Sequence, residues 1–313
     1  MSAATPPEPD APPPPRWVRL LARLPWGLLY ALGAAAAWLA RAVLGLRTAV
    51  ARDNLARCFP DWPPARVEAT LARHYRALSE LLVEFLKLAR LSPVELGAHA
   101  RLVGAEPLKA ALAAGRPVMF LTAHYCNWEY VLQQLRLELG VPLIAAYKPA
   151  KSAAVERAMM GIRSRFGVRM VPGKRLLREL ARLRRVPHTT AFMADQVPTT
   201  SPNRHWIEFL GRPTAFFPGP AEIARIGAYE VYYVAITRVA RGRYEARFDP
   251  IAAAGEVLEP LEFTRRYAAR MEQQIREGAA DWMWVHRRWK LEPPAAGTGG
   301  AQAAGDDEAD PLA

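Results

Sequence analysis

Apolar residues recur along this chain with two different periods. Across residues 66–91 they fall at Val67, Leu71, Tyr75, Leu78, Leu82, Phe85 and Leu86. This is the spacing of one helix face, and Pro93 lies just past its end. From there short apolar runs alternate with helical patterns. Strands are predicted at 117–123, 142–147, 169–171 and 188–194, with helices at 128–139, 153–166 and 174–183. A helix begins at Gly219 after a Pro/Gly turn. Residues 230–237 and 243–248 read as two strands joined around Gly242, and 263–277 as a helix. The alternation predicts an α/β fold, a mixed central sheet flanked by helices.

The N-terminal pattern differs. Residues 26–40 carry no charge and include Trp26, Tyr30 and Trp38; extension to Leu46 gives 21 residues interrupted only by Arg41. At about 1.5 Å per residue such a helix reaches roughly 31 Å, close to the hydrocarbon thickness of a bilayer. A membrane-associated helix is expected, either spanning the bilayer or lying on its surface. A helix docked on the protein itself has the same pattern. The four divisions expected are a Pro-rich disordered lead (1–15), the anchor helix (16–50), a catalytic domain (51–292) and a disordered acidic tail (293–313).

Composition narrows the partners. The chain is 51% hydrophobic and carries a net charge of +12. Its lead and tail contain acids but no Lys or Arg, so the body between them is more basic than the total. Such a body seeks anionic partners: phospholipid, phosphorylated substrates, acidic proteins or nucleic acid. No nucleic-acid motif accompanies the charge, and none is expected as partner. Two cysteines, Cys58 and Cys126, make no disulfide framework. There is no Gly-x-Ser-x-Gly elbow, His-Glu-x-x-His or Cys-x-x-Cys, so neither a serine hydrolase nor a metal site is indicated. No cofactor is expected.

The candidate chemistry centres on Ala123-His124-Tyr125-Cys126-Asn127-Trp128-Glu129. An apolar strand stops at a histidine, Asn127 is a good helix N-cap, and a carboxylate follows at Glu129. Strand-to-helix junctions are where α/β folds keep their ligands. A histidine there is also a common core residue. A carboxylate-held imidazole would be a general base for a hydroxyl. Arg163 lies near a helix end, where it could grip phosphate or carboxylate bidentately, or simply complement the helix dipole. Asp195-Gln196 follow a strand on the ligand side of the sheet. Residues 209–220 read as a loop close to a ligand. The segment Trp282-Met283-Trp284-Val285-His286-Arg287-Arg288-Trp289-Lys290 mixes aromatics and cations. A basic cluster, Lys174, Arg175, Arg178, Arg182, Arg184 and Arg185, suits an acidic protein, a headgroup or plain solvent.

Taken in order, His124-x4-Glu129, Tyr147-Lys148-Pro149, Arg163-x3-Gly167, Ala194-Asp195-Gln196, Phe209-x-Gly-x-Pro with Gly219-Pro220, and His286–Lys290 resemble the bacterial lipid A late acyltransferases. These are the lauroyl/myristoyl transferases of the lysophospholipid acyltransferase superfamily. The resemblance spans about residues 20–290. It implies an inner-membrane O-acyltransferase with its active site on the cytoplasmic face. It also implies acyl transfer from acyl carrier protein to a hydroxyl of a phosphorylated glycolipid, a lipid A precursor. Carried over by position, His124 is the base and Glu129 its partner. Asn127, Arg163, Asp195, Gln196 and Arg287 are the substrate-binding candidates. The family usually has Gly where this chain has Cys126, a side chain that would narrow the approach to His124. Two alternatives stay open: an acyltransferase of the same superfamily acting on another lipid, and a non-catalytic basic protein bound to membrane.

Overall fold

The computed structural model describes residues 12–198, 203–253 and 256–294. The lead and tail therefore lie mostly outside the described residues. The helical pattern over 66–91 forms α4 (Pro64–Leu88). Pro64 starts it at a position where the missing N–H costs nothing. Before it come α1 (Arg16–Leu21), α2 (Trp26–Trp38) and α3 (Thr48–Cys58). α2 continues through a π-helical turn, Leu39–Val43, and stops at Gly45, whose φ is 61°. α2 lies along α4, where a Cβ on Gly33 would meet Val83 at 3.1 Å. Trp26–Val43 is long and apolar enough to cross a membrane, and only 6% of it is buried. Its outer side exposes Leu28, Leu32, Trp38, Leu39 and Val43.

The rest of the chain builds the sheet. α5 (Pro93–His99) leads to β1 (Ala100–Val103), then α6 (Glu106–Ala113), β2 (Val118–Thr122), α7 (Trp128–Leu139) and β3 (Leu143–Tyr147). Next come α8 (Ala153–Arg163), β4 (Val168–Pro172), α9 (Leu176–Arg182) and β5 (Thr189–Met193). β6 (His205–Phe209) and β7 (Arg212–Phe216) pair apart from the main sheet, and α10 (Gly219–Gly227), β8 (Glu230–Ala240), β9 (Arg243–Ala252) and α11 (Pro260–Glu277) follow. The main sheet runs β1-β9-β8-β2-β5-β3-β4. Every neighbouring pair is parallel except the β8/β9 hairpin. The result is a mixed, mostly parallel sheet with helices around it. Central strands β2 and β5 are buried along nearly their whole length, as covered parallel strands must be.

One loop expectation fails. Residues 205–216 are a hairpin turning at Leu210-Gly211, with φ of 52° and 71°. Two positive φ values suit the twist of a tight hairpin, but Leu is an unusual residue for the first. Its pattern therefore gave no hairpin signal. Leu210 is held by burial and by its N–H donating to Glu272 Oε2 at 2.8 Å.

Candidate active site

β2 and β5 are parallel neighbours, and their register sets Thr122 opposite Met193. Two residues beyond each of those positions stand His124 and Asp195. The pairing of two strands thus delivers an imidazole and a carboxylate to one point at the C-terminal edge of the sheet. His124 Nδ1 bonds Asp195 Oδ1 at 2.7 Å, and the His124 backbone N–H donates to Oδ2 at 2.9 Å. Trp282 Nε1 also donates to Oδ2, at 2.9 Å. Asp195 is 3% exposed. Burial alone would raise its pKa, but the charge and hydrogen bonds of His124, with Trp282, outweigh it and hold the carboxyl down at about 2. An ionised carboxylate only accepts, so Nδ1 of His124 donates in this bond, and Nε2 is the ring nitrogen left to meet a substrate.

The expected partnership of His124 with Glu129 is not what the structure builds. Glu129 heads α7 and is gripped by Arg163 from the end of α8. Arg163 Nε donates to both carboxylate oxygens, at 3.0 and 3.1 Å, and Nη2 donates to Oε1 as well. Arg163 does hold a carboxylate bidentately, but an internal one. Between the two acidic sites lies Trp128. Its ring stands edge-on to His124 with centroids 5.0 Å apart, while its Nε1 donates to Glu129 Oε1 at 3.2 Å. Glu129 thus reaches His124 only through this indole.

Other expectations also shift. Asn127 is fully buried, and both ends of its amide serve the fold: Oδ1 accepts from Tyr130 N at 2.9 Å and Nδ2 donates to Glu84 Oε2 at 2.6 Å. It caps α7 and is not open to substrate. Gln196 is half-buried beside Asp195, and Arg287 is exposed. The buried member of that basic pair is Arg288, 2% exposed, with its guanidinium 4.5 Å over the Phe216 ring and its pKa pushed down to about 10 by burial. The aromatic stretch around it is core. Trp282 and Trp284 are buried, and the strand-like segment straps the His124 loop: Met283 N donates to His124 O at 3.1 Å and Cys126 N to Asp281 O at 3.0 Å.

Cys126 has φ of 51°. A left-handed residue at this bend is the reason glycine fits the position best. Burial raises the thiol pKa well above its ordinary value, which argues against a thiolate nucleophile. The side chain lines a cavity of about 10 Å³ together with His124, Trp128, His74, Arg238 and apolar residues of α4. His74 and Arg238 gave no sequence signal. The first lies inside a regular helical pattern and the second in a strand, and only the fold turns them toward His124. Among the described residues no group of three or more His, Cys, Asp or Glu side chains is placed to hold a metal ion.

Residues 16–291 match the family model for bacterial lipid A biosynthesis acyltransferases. The chain is 24% identical over 274 residues to the lipid A biosynthesis palmitoleoyltransferase of Escherichia coli (strain K12), covering 88% of this chain and 89% of that protein. It is 21% identical over 269 residues to a lipid A biosynthesis acyltransferase of Haemophilus influenzae, covering 85% and 83% respectively.

Proposed function

The chain belongs to the bacterial lipid A biosynthesis acyltransferase family, and we propose that it transfers a fatty acyl chain from acyl carrier protein to a hydroxyl of a lipid A precursor, with His124 as the base. The observation that carries this reading is the Asp195–His124 pair at the ligand edge of the sheet. His124 Nε2 takes the proton of the acceptor hydroxyl as its oxygen attacks the thioester carbonyl. Asp195 fixes the tautomer and stabilises the imidazolium that forms. The tetrahedral intermediate collapses, the C–S bond breaks, and the proton on Nε2 passes to the departing thiolate. The products are the ester and the free carrier thiol, with His124 restored. Both cations near the pair are already matched by carboxylates, Arg163 by Glu129 and Arg238 by Glu80 and Asp281.

Membrane attachment belongs to the same proposal. α1 and α2 expose Trp17, Leu20, Leu28, Leu32 and Trp38, a surface suited to lipid at the inner membrane with the sheet on the cytoplasmic side. A cleft of about 400 Å³ between α2 and α4 is lined by Ala31, Ala34 and Ala37 and by Arg41, Arg76 and Arg241, the last two paired with Glu80, which lines it too. Its alanines and its excess of cations over acids suit the chains and phosphate of a glycolipid. The acidic carrier would meet basic surface outside the membrane.

The test is acyl transfer by the purified full chain, using acyl-carrier protein and a lipid A precursor. His124→Ala is expected to lower turnover by roughly 10²–10⁴, the range for a general base. Near-normal turnover in that variant would sink the mechanism, and no transfer by the wild-type protein would sink the substrate assignment.

A further inference from the structure

Arg288 differs from the other buried arginines around the His124–Asp195 pair. Arg163 and Arg238 are bonded to carboxylates. Nε, Nη1 and Nη2 of Arg288 are all buried and meet no acceptor among the described residues. The side chain is 2% exposed, with its guanidinium 4.5 Å over the ring of Phe216. Phe216 stands edge-on to Tyr267 with centroids 6.2 Å apart, and Tyr267 Oη donates to Thr122 O at 2.8 Å, two residues before His124. The backbone fixes this placement. Arg288 N donates to His286 O at 2.8 Å, and Asn54 Nδ2 donates to the carbonyls of Trp284 and His286, at 2.9 and 3.0 Å. A buried cation without a hydrogen-bonded partner is strongly unfavourable, and such a group in a native fold calls for an explanation. Burial lowers its pKa to about 10 against the opposing charge of Asp195, so it remains a cation at neutral pH. Asp195 is the carboxylate that acts on it, and it does so through space, its oxygens being bonded to His124 and Trp282.

We propose that Arg288 is a positioning residue for the reaction: its charge offsets that of Asp195 and so leaves His124 as an unprotonated base. The inference rests on the acyl-transfer reading above and adds a residue to it. Asp195 alone, bonded to the imidazole at 2.7 Å in a buried site, favours the protonated ring, because a close opposite charge favours the charged form. A histidine that already holds a proton on Nε2 cannot take one from a hydroxyl. A cation near the carboxylate works the other way and disfavours the imidazolium. The hydrogen bonds to Asp195 still fix the ring, so orientation is kept while the charge is balanced. The other groups around the pair leave this role to Arg288. At the His124 cavity, burial holds His74 neutral by lowering its pKa to about 4, and Cys126 neutral by raising its own well above the ordinary value. Arg238 is bonded there to Asp281, and to Glu80. Glu129 is matched by Arg163. On the sheet side, burial pushes the phenols of Tyr233 and Tyr267 well above their ordinary range, so both are neutral. His286 Nε2 accepts the Val197 N–H at 3.2 Å and so carries no proton on that nitrogen.

The charge can be removed while the space stays filled. Arg288→Met keeps an unbranched apolar side chain over Phe216, and replacing buried ions by apolar residues of similar volume is often tolerated. Arg288→Gln removes the charge and keeps a polar end, and it decides by the same measure if Arg288→Met does not fold. The full chain, solubilised in detergent and carrying isotope-labelled histidine, is titrated by NMR, with the His124 resonance assigned from its loss in His124→Gln. Loss of the Arg288 charge is expected to raise the His124 midpoint by about one pH unit, a roughly tenfold gain in proton affinity. The acid limb of kcat/KM for acyl transfer should move up with it. Activity on that limb then falls about tenfold and recovers as pH rises. A merely structural role predicts a loss equal at every pH and an unmoved midpoint. That result, or a midpoint that falls, would overturn the proposal. The titration needs no substrate, so it is independent of the reaction assigned above. A raised midpoint in a chain that transfers no acyl group would sustain the charge balance and sink only that reaction.

Discussion

His124 and Asp195 stand 71 positions apart in sequence, while Glu129 follows His124 within one turn of chain. Local spacing therefore pointed to the nearer carboxylate, and strand register chose the farther one. The two acids are expected to differ when altered. Asp195→Asn should lower turnover by roughly 10³–10⁴ because the amide no longer fixes the imidazole tautomer. It should also change the acid stability profile. The Asp195 pKa is lowered from 3.8 to about 2 in the fold. Its contribution to stability is thus complete above the unfolded value near 3.8 and is lost as pH falls toward 2. Urea unfolding of Asp195→Asn between pH 5 and pH 2 should show that share of the slope missing. Glu129→Gln instead leaves the buried Arg163 guanidinium without its counter-charge, and its main effect should be on stability, about 3–5 kcal/mol. Wild-type stability in Glu129→Gln with a large loss of turnover would return Glu129 to the chemistry. Residue types at the site were thus readable from sequence: the histidine, both acids and Arg163 were all singled out. Their pairing was not, because pairing is set by which strands become neighbours.

At the scale of elements, the long helix α4 organises the site from behind. Glu84 is fully buried on it and accepts three hydrogen bonds. They come from Tyr30 of α2 at 3.0 Å, Asn127 at 2.6 Å and Tyr244 of β9 at 2.7 Å. Its backbone carbonyl takes a fourth, from Tyr130 at 3.0 Å. One carboxylate thus ties the apolar N-terminal helix, the hairpin strand and the cap of α7 together, three residues past His124. A turn further on, Lys87 Nζ donates to the carbonyls of Ala22 and Leu24, fastening the α1–α2 connection. The helical period of α4 was plain in the sequence, but Glu84 falls outside its apolar series and carried no visible role. Glu84→Gln puts an amide N–H₂ among donors that all need an acceptor. We expect it to cost about 1–3 kcal/mol and to loosen the start of α7. Hydrogen exchange should rise over residues 127–131 and in α2 together. Exchange rising in only one of them would mean that Glu84 does not join the two.

For the molecule as a whole, the sheet gives the basic surface a direction. β4 is parallel to β3, and β3 to β5, so its C-terminal end points to the same edge as His124 and Asp195. Lys174 and Arg175 follow directly from that end and are exposed, with Arg178 one turn on. The excess positive charge noted in the sequence thus includes cations at the edge that carries the His124–Asp195 pair. In the proposed reaction these cations would be the ones to meet the acidic carrier. Exposed charges act over about 8–10 Å at physiological salt and mainly steer encounter. Reversing Lys174→Glu and Arg175→Glu together should therefore raise KM for the acyl carrier about 10-fold at low salt, the scale of steering effects, and leave turnover at saturation unchanged. The difference from wild type should shrink as salt is raised toward 0.5 M, where screening shortens the interaction to a few ångströms. A KM increase that persists at high salt would instead mean that the two substitutions disturb the fold at the end of β4. An unchanged KM at low salt would move the carrier to another face of the protein.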